Sequence, residues 1–228
     1  MTFDDALASL EALIEPGRAE KMSAYHKQAR PVLGVPNPAI NDVTKEWRQS
    51  LSVAERVDLA RALWASDIFE ARLAAAKVLT QARIRPDDGV WDLIQSWVPD
   101  FDSWAIADHV CMAGMKRLTA DPARVDVIED WTTSDHMWTR RAALVITLPW
   151  TKQNHPKPAE LAVRDRVLGW AAGYADDHDW FIQKSVAWWV RDLSKHDPDR
   201  SRAFLDAHGD KLKPFARKEA GKYLPSAD

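Results

Sequence analysis

Cysteine is almost missing from this chain: Cys111 is the only one in 228 residues. A single thiol forms neither an internal disulfide nor a cysteine zinc cluster, so neither staple holds the fold, and a reducing compartment suits it. Cys111 itself reads as a small buried hydrophobe. No run approaches the roughly 20 apolar residues that span a bilayer, and the start, Met1-Thr2-Phe3-Asp4-Asp5, has no basic stretch ahead of an apolar one. A cytoplasmic protein with no membrane partner is expected. The eight glycines build no phosphate-cradling loop, and H-E-x-x-H, G-x-S-x-G and the deaminase zinc motif are absent, which removes most enzyme classes. The histidines at 26, 109, 136, 155, 178, 196 and 208 show no metal-ligand spacing, so no metal is expected. Period-two alternation of apolar and polar residues is never sustained, which argues against sheets.

What is present points to one self-sufficient domain over residues 1–228. Hydrophobic residues make up 46% and charged residues 29%, values typical of chains that fold on their own. Twelve tryptophans are an unusual number for this length. The net charge of −3 argues against phosphate binding if it is spread evenly, but it is not. Residues 1–133 carry 15 Lys+Arg against 21 Asp+Glu, net −6, whereas residues 134–228 carry 16 against 13, net +3. A weakly acidic protein of this kind can present a basic face.

Apolar residues recur at helical spacing, as in Leu7, Leu10, Ile14 and in Val57, Leu59, Ala60, Leu63, Trp64, so an all-α fold is expected. Breaks at Pro16-Gly17, Pro36-Asn37-Pro38, Pro86, Pro99, Pro122, Pro149 to Pro158, Pro198 and Pro214 predict about a dozen short helices. Ser66–Ala75 lines up with Ser134–Ala143 at an offset of 68 residues, two units of 34, and Asp177–Val186 is a weaker third copy. Ser or Asp is expected as N-cap, followed by a large apolar residue and then small residues that let helices approach. Such repeats write a HEAT-like helical solenoid whose stacked pairs leave a concave surface. That surface alone is compatible with a protein-binding scaffold.

Three motifs carry more information. Trp104 and Asp108, at i and i+4, share one helical face, either as an active carboxylate beside an indole or as a packed Trp with Asp at its solvent edge. Met137-Trp138-Thr139-Arg140-Arg141-Ala142-Ala143 follows about thirty residues later, and Phe181-Ile182-Gln183-Lys184 with Trp188 and Arg191 about forty after that. W-x-x-x-D, W-x-x-R-A-A and F-I-Q-K-x-x-x-W-x-x-R, in this order and spacing over roughly residues 60–224, resemble the AlkD-type DNA alkylation-repair glycosylases. Residues 19–25 and Leu33-Gly34-Val35 extend the likeness. The sequence departs from the family pattern at Ala29-Arg30-Pro31 and at Val98-Pro99-Asp100-Phe101-Asp102.

The resemblance implies a right-handed superhelical solenoid with a concave DNA-binding face, acting as a monomer on alkylated double-stranded DNA without a cofactor. It implies Asp108 as the catalytic carboxylate, Trp104 and Trp188 as the aromatic groups beside the lesion's sugar, and Arg141 as the arginine facing the DNA backbone. Tyr25, Arg140, Lys184, Arg191 and Arg217 fall at DNA-contacting positions; for Lys184 and Arg191 a solvated helix face is the alternative. Trp64, Trp97, Trp138 and Trp189 are expected in the core. A purine alkylated at N3 or N7 is a cationic leaving group that needs little protonation, so one carboxylate can stabilise the oxocarbenium-like sugar and orient water. Two rivals remain: a relative that binds DNA structures without excising bases, and a HEAT scaffold for protein partners.

Overall fold

Caps and prolines set the helix boundaries. The structure is a computed structural model in which residues 1–224 are described; it is 73% helix, with no strand among those residues. Its contacts divide the chain into two units, Met1–Ala120 and Asp121–Asp228. The first holds α1 (Phe3–Glu11), α2 (Arg18–His26), α3 (Asn37–Ser50), α4 (Val53–Ala65), α5 (Phe69–Leu79), α6 (Asp88–Trp97) and α7 (Trp104–Ala120). The second holds α8 (Val125–Trp131), α9 (Met137–Ile146), α10 (Pro158–Gly173), α11 (Trp180–Ser194), α12 (Pro198–His208) and α13 (Pro214–Ala220). Thr2 with Asp5 and Ser52 with Glu55 close reciprocal capping boxes on α1 and α4, satisfying backbone N–H groups that a helix leaves unpaired. Pro38, Pro158, Pro198 and Pro214 sit in first turns, where the missing N–H loses no bond.

In the first unit α5 packs against α3, α4 and α7. Ten of its eleven residues are buried, which explains the run of small alanines at 74–76: larger side chains would hold the neighbouring helices apart. Trp64 and Trp97 stack at 4.4 Å between ring centroids, nearly parallel, and both are buried as expected. In the second unit α11 plays the same part, against α9, α12 and α13. Trp189 on it is fully buried, and its indole N–H donates to Thr147 Oγ1 at 3.2 Å, so its one polar atom is satisfied. Trp138 departs from the expected core position: it is half-buried, with its ring 4.6 Å from that of Phe181.

The three sequence copies start alike, but only the third has the expected N-cap: Asp179 caps α11 and accepts from the Phe181 and Ile182 N–H groups, whereas Ile68 and His136 stand at the starts of α5 and α9 with no side-chain cap bond. Ser66 Oγ, Ser134 Oγ and Asp177 Oδ1 each accept from the backbone N–H two residues on, at Ile68, His136 and Asp179. The recurring polar residue therefore builds a turn before the helix, and the N-cap is the residue it holds. The fourth helical residue then reaches back. Arg140 and Gln183 donate to the carbonyls of Ser134 and Asp177, six residues earlier, and Arg72 donates to that of Trp64.

Buried charges tie down the connecting loops. Glu70, fully buried, accepts from the backbone N–H groups of Leu33, Gly34 and Val35 at 2.8, 2.7 and 3.2 Å. Gly34 is required there, because its φ is +91° and a Cβ would lie 2.8 Å from Ala19 N. Arg117, also fully buried, donates to the carbonyls of Gln81, Ala82 and Ile84 and pairs with Asp87. Arg164 repeats the device in the second unit, bonding the Trp150 and Gln153 carbonyls and Asp197.

Candidate functional site

The departures from the family pattern meet in space. Arg30, in the loop after α2, ion-pairs with Asp102, two residues before α7 begins, and also lies 3.4 Å from Asp67. Asp100 accepts from the Trp64 indole. Ser103 Oγ accepts from Ile106 N. These contacts fix where α7 starts, and so where its first residue, Trp104, is held.

Around Trp104 the first unit assembles an aromatic cluster. The Tyr25 ring stands edge-on at 6.1 Å, and the His26 ring lies 5.1 Å from Trp104 and 4.9 Å from Phe69. Tyr25 is 71% exposed, so this phenol is available to a large ligand. Asp108 follows Trp104 by one helical turn, and both are half-buried. His109 beside it bonds the Ala105 carbonyl through Nδ1 at 2.6 Å. Burial, with Lys77 and His26 adding to it against that hydrogen bond, pushes the His109 imidazole down to about 4, so it is neutral near pH 7. His26 is also lowered, chiefly by burial, against the opposing pull of Glu70.

In the second unit Arg141 is buried on α9, and its Nη1 donates to the Phe181 carbonyl at 3.0 Å. Arg140 bonds the carbonyls of Ser134 and Asp135 and pairs with Asp177 at 3.1 Å, which gives it a structural duty at the turn. Lys184 is exposed, with its ammonium 4.9 Å from the Trp180 ring centroid. Trp188 is half-buried and donates its indole N–H to Asp192 at 3.1 Å. Arg191 pairs with Asp192 and Glu219, and exposed Arg217 with Asp210.

Counted from each helix start, the candidates fall in register. The fifth residue is Leu73 in α5, Asp108 in α7, Arg141 in α9 and Lys184 in α11; the ninth residue of α11 is Trp188. Asp108, Arg141 and Lys184 therefore occupy one repeated position, which the copies at Ser66, Ser134 and Asp177 only hinted at. Two neighbours escaped the sequence reading. His26 carried no signal beyond its place next to Tyr25. Asp192 did carry one, since Trp188-x-x-x-Asp192 repeats the spacing of Trp104-x-x-x-Asp108.

Within the first unit the arrangement offers a carboxylate, an indole and an exposed phenol. Within the second it offers an indole fixed by a carboxylate, and guanidinium and ammonium groups. Among the described residues no group of three His, Cys, Asp or Glu side chains could hold a metal ion, and no helix is long and apolar enough to cross a membrane.

A search of the curated proteins finds no match. Among solved structures, a protein of Enterococcus faecalis described as a predicted DNA alkylation repair enzyme shares 21% identity over 94% of this chain and 98% of its own, with a TM-score of 0.77. AlkD2 from Streptococcus mutans shares 19% over 99% of this chain and all of its own, TM-score 0.66. The smu.31 protein from Streptococcus mutans UA159 shares 18% over 98% and all of its own, TM-score 0.65. At these identities the likeness shows a shared helical-repeat fold. The model of one family, DNA alkylation repair enzyme, matches residues 6–224, nearly the whole chain, and this protein therefore belongs to that family.

Proposed function

We propose that this protein is a DNA glycosylase that hydrolyses the N-glycosidic bond of cationic N3- or N7-alkylated purines in duplex DNA. The observation that carries the reading is Asp108: a half-buried carboxylate one turn from Trp104 on α7, beside a neutral histidine, in a chain of the alkylation-repair family. The lesion's positive charge makes the base a good leaving group, so protonation of that base is not the difficult step. Positive charge then moves onto the sugar, where Asp108 stabilises it and orients the attacking water. Trp104, on the same helix, offers its electron-rich face to that cation, a contact contributing roughly 0.5–2 kcal/mol, and Trp188 is the corresponding aromatic group of the second unit. Arg141, in the second unit, supplies a guanidinium suited to a backbone phosphate. No enclosed base pocket is needed, so the lesion remains in the stack and neutral lesions are poor substrates.

The test is release of free base from duplexes containing 7-methylguanine. Wild-type protein is expected to release it, and Asp108→Asn to bind the duplex but react about 10²- to 10⁴-fold more slowly, the usual range for a lost acid–base group. A wild-type protein that binds the duplex and releases nothing refutes the reading and leaves a DNA-binding relative in its place.

A further inference from the structure

The first unit contains a cluster of cations that Asp108 and Trp104 do not account for. A cavity of about 270 Å³ opens between α3, α5 and α7, and Lys45, Arg48 and Lys77 line it with Asp42 as the one carboxylate. Asn41 and His109 complete the polar wall. Lys77 is only 8% exposed, and its Nζ donates to Asn41 Oδ1 at 2.5 Å, which leaves two N–H donors for a ligand. Arg48 spends one N–H on the Lys77 carbonyl at 2.6 Å, and Arg56 behind it bonds Gln81.

These cations are packed against one another without compensation. Among the described residues none of Lys45, Arg48, Arg56 or Lys77 forms a salt bridge, whereas Arg30, Arg72, Arg117, Arg164 and Arg191 each have a carboxylate. Burial, reinforced by Arg48, lowers the Lys77 ammonium to about 8, and burial with Arg56 lowers Arg48. Buried charges are ordinarily paired or hydrogen-bonded to opposite charge. Here no carboxylate among the described residues pairs with them, although Asp42 lines the same cavity.

We propose that this cavity is a phosphate-binding site separate from the candidate catalytic groups, with Lys77 and Arg48 gripping the phosphate oxygens and Lys45 closing over them. On the glycosylase reading above, the phosphate is one from the DNA backbone, so that part of the inference rests on that reading. The ammonium and guanidinium donors match phosphate oxygens, and the neutral His109 imidazole allows close approach without adding a fourth cation. Among the described residues lining the site, Asp42 on α3 is the only group that repels a phosphate.

Two measurements on the full chain test this. The first is thermal unfolding with and without inorganic phosphate near pH 7. Phosphate should raise the wild-type midpoint by mass action, and Lys77→Met and Lys45→Glu should each bind it at least about tenfold more weakly. Lys45 is exposed, so Lys45→Glu tests the site without touching the core. A wild-type midpoint indifferent to phosphate, or variants that respond like wild type, overturns the proposal. The second is affinity for an undamaged duplex as a function of salt. A slope shallower by about 0.9 in Lys77→Met identifies the ligand as a DNA phosphate. An unchanged slope overturns that assignment, even when inorganic phosphate binds. Because the phosphate measurement needs no base release, it fails or succeeds independently of the glycosylase reading.

Discussion

Asp192 shows how a single side chain sets the geometry of another. Its carboxylate accepts from the Trp188 indole at 3.1 Å while also meeting Arg191 and Lys195. The indole cannot rotate freely about its axis while that bond holds. Asp192→Ala should therefore lower the rate of base release about tenfold with little change in KM, since positioning rather than binding is lost. Asp192→Asn, whose amide oxygen can still accept, should restore most of the rate; equal losses in both variants would argue for a charge effect instead. Some of this scale was legible beforehand. Trp104 and Asp108 share a face because helix geometry demands it, and Trp189 had to be internal once Trp188 faced outward. The half-buried state of Trp138 was not, because Phe181, 43 residues further on, decides it. Nor was the pairing of Arg30 with Asp102, which are 72 residues apart and look like two unrelated departures in the sequence.

At the scale of elements, the fold depends on arginines that stand in for absent regular structure. The α5–α6 connection leaves the carbonyls of Gln81, Ala82 and Ile84 pointing inward, and Arg117 on α7 bonds all three and Asp87. Arg117→Met keeps the volume but removes every donor, stranding buried acceptors and a carboxylate. It should cost about 3–5 kcal/mol, read as a lower midpoint in urea unfolding with an unchanged slope. Most helix positions could be read from proline and apolar spacing, because a proline in the first turn announces a start regardless of tertiary context. The exact caps could not. Ser66 and Ser134 look like N-caps, yet they act two residues upstream by holding the turn, a distinction that depends on backbone angles. Asp67 follows Ser66 at φ 55°, a strained conformation for a non-glycine residue, and it pairs there with Arg30 and Arg72. Neither partner follows from local sequence.

For the whole molecule, charge matters more through pH than through total. The first unit carries 14 Lys+Arg against 17 Asp+Glu, net −3, and the second 17 against 17, net zero. Neither unit is basic, so attraction to a polyanion has to come from local groups. The His109 and His26 pKa values are depressed, so the unfolded chain takes up protons that the folded chain refuses. The histidine contribution to stability should fall as pH drops from 6.5 toward 4, by at most about 3 kcal/mol for His109, and that contribution levels off below. Lys77 works in the same direction at high pH: stability should rise between about 8 and 10.5 as the unfolded lysine retains a proton the folded one has lost. Denaturant midpoints across pH 4–10.5 check both, and the alkaline rise should vanish in Lys77→Met. The all-helical class and the repeat were legible at this scale, since both are properties of spacing. The cavity beside Lys77 was not, because its walls come from three helices whose sequences show no common signal. The shared helical register has a last consequence, for variation. With Leu73 filling in α5 the place that Asp108, Arg141 and Lys184 fill in the later helices, a single codon separates an apolar rung from a charged one. The scaffold therefore accepts either kind of side chain at this place with its helix register kept, so overall resemblance follows the frame, and these few letters vary within it.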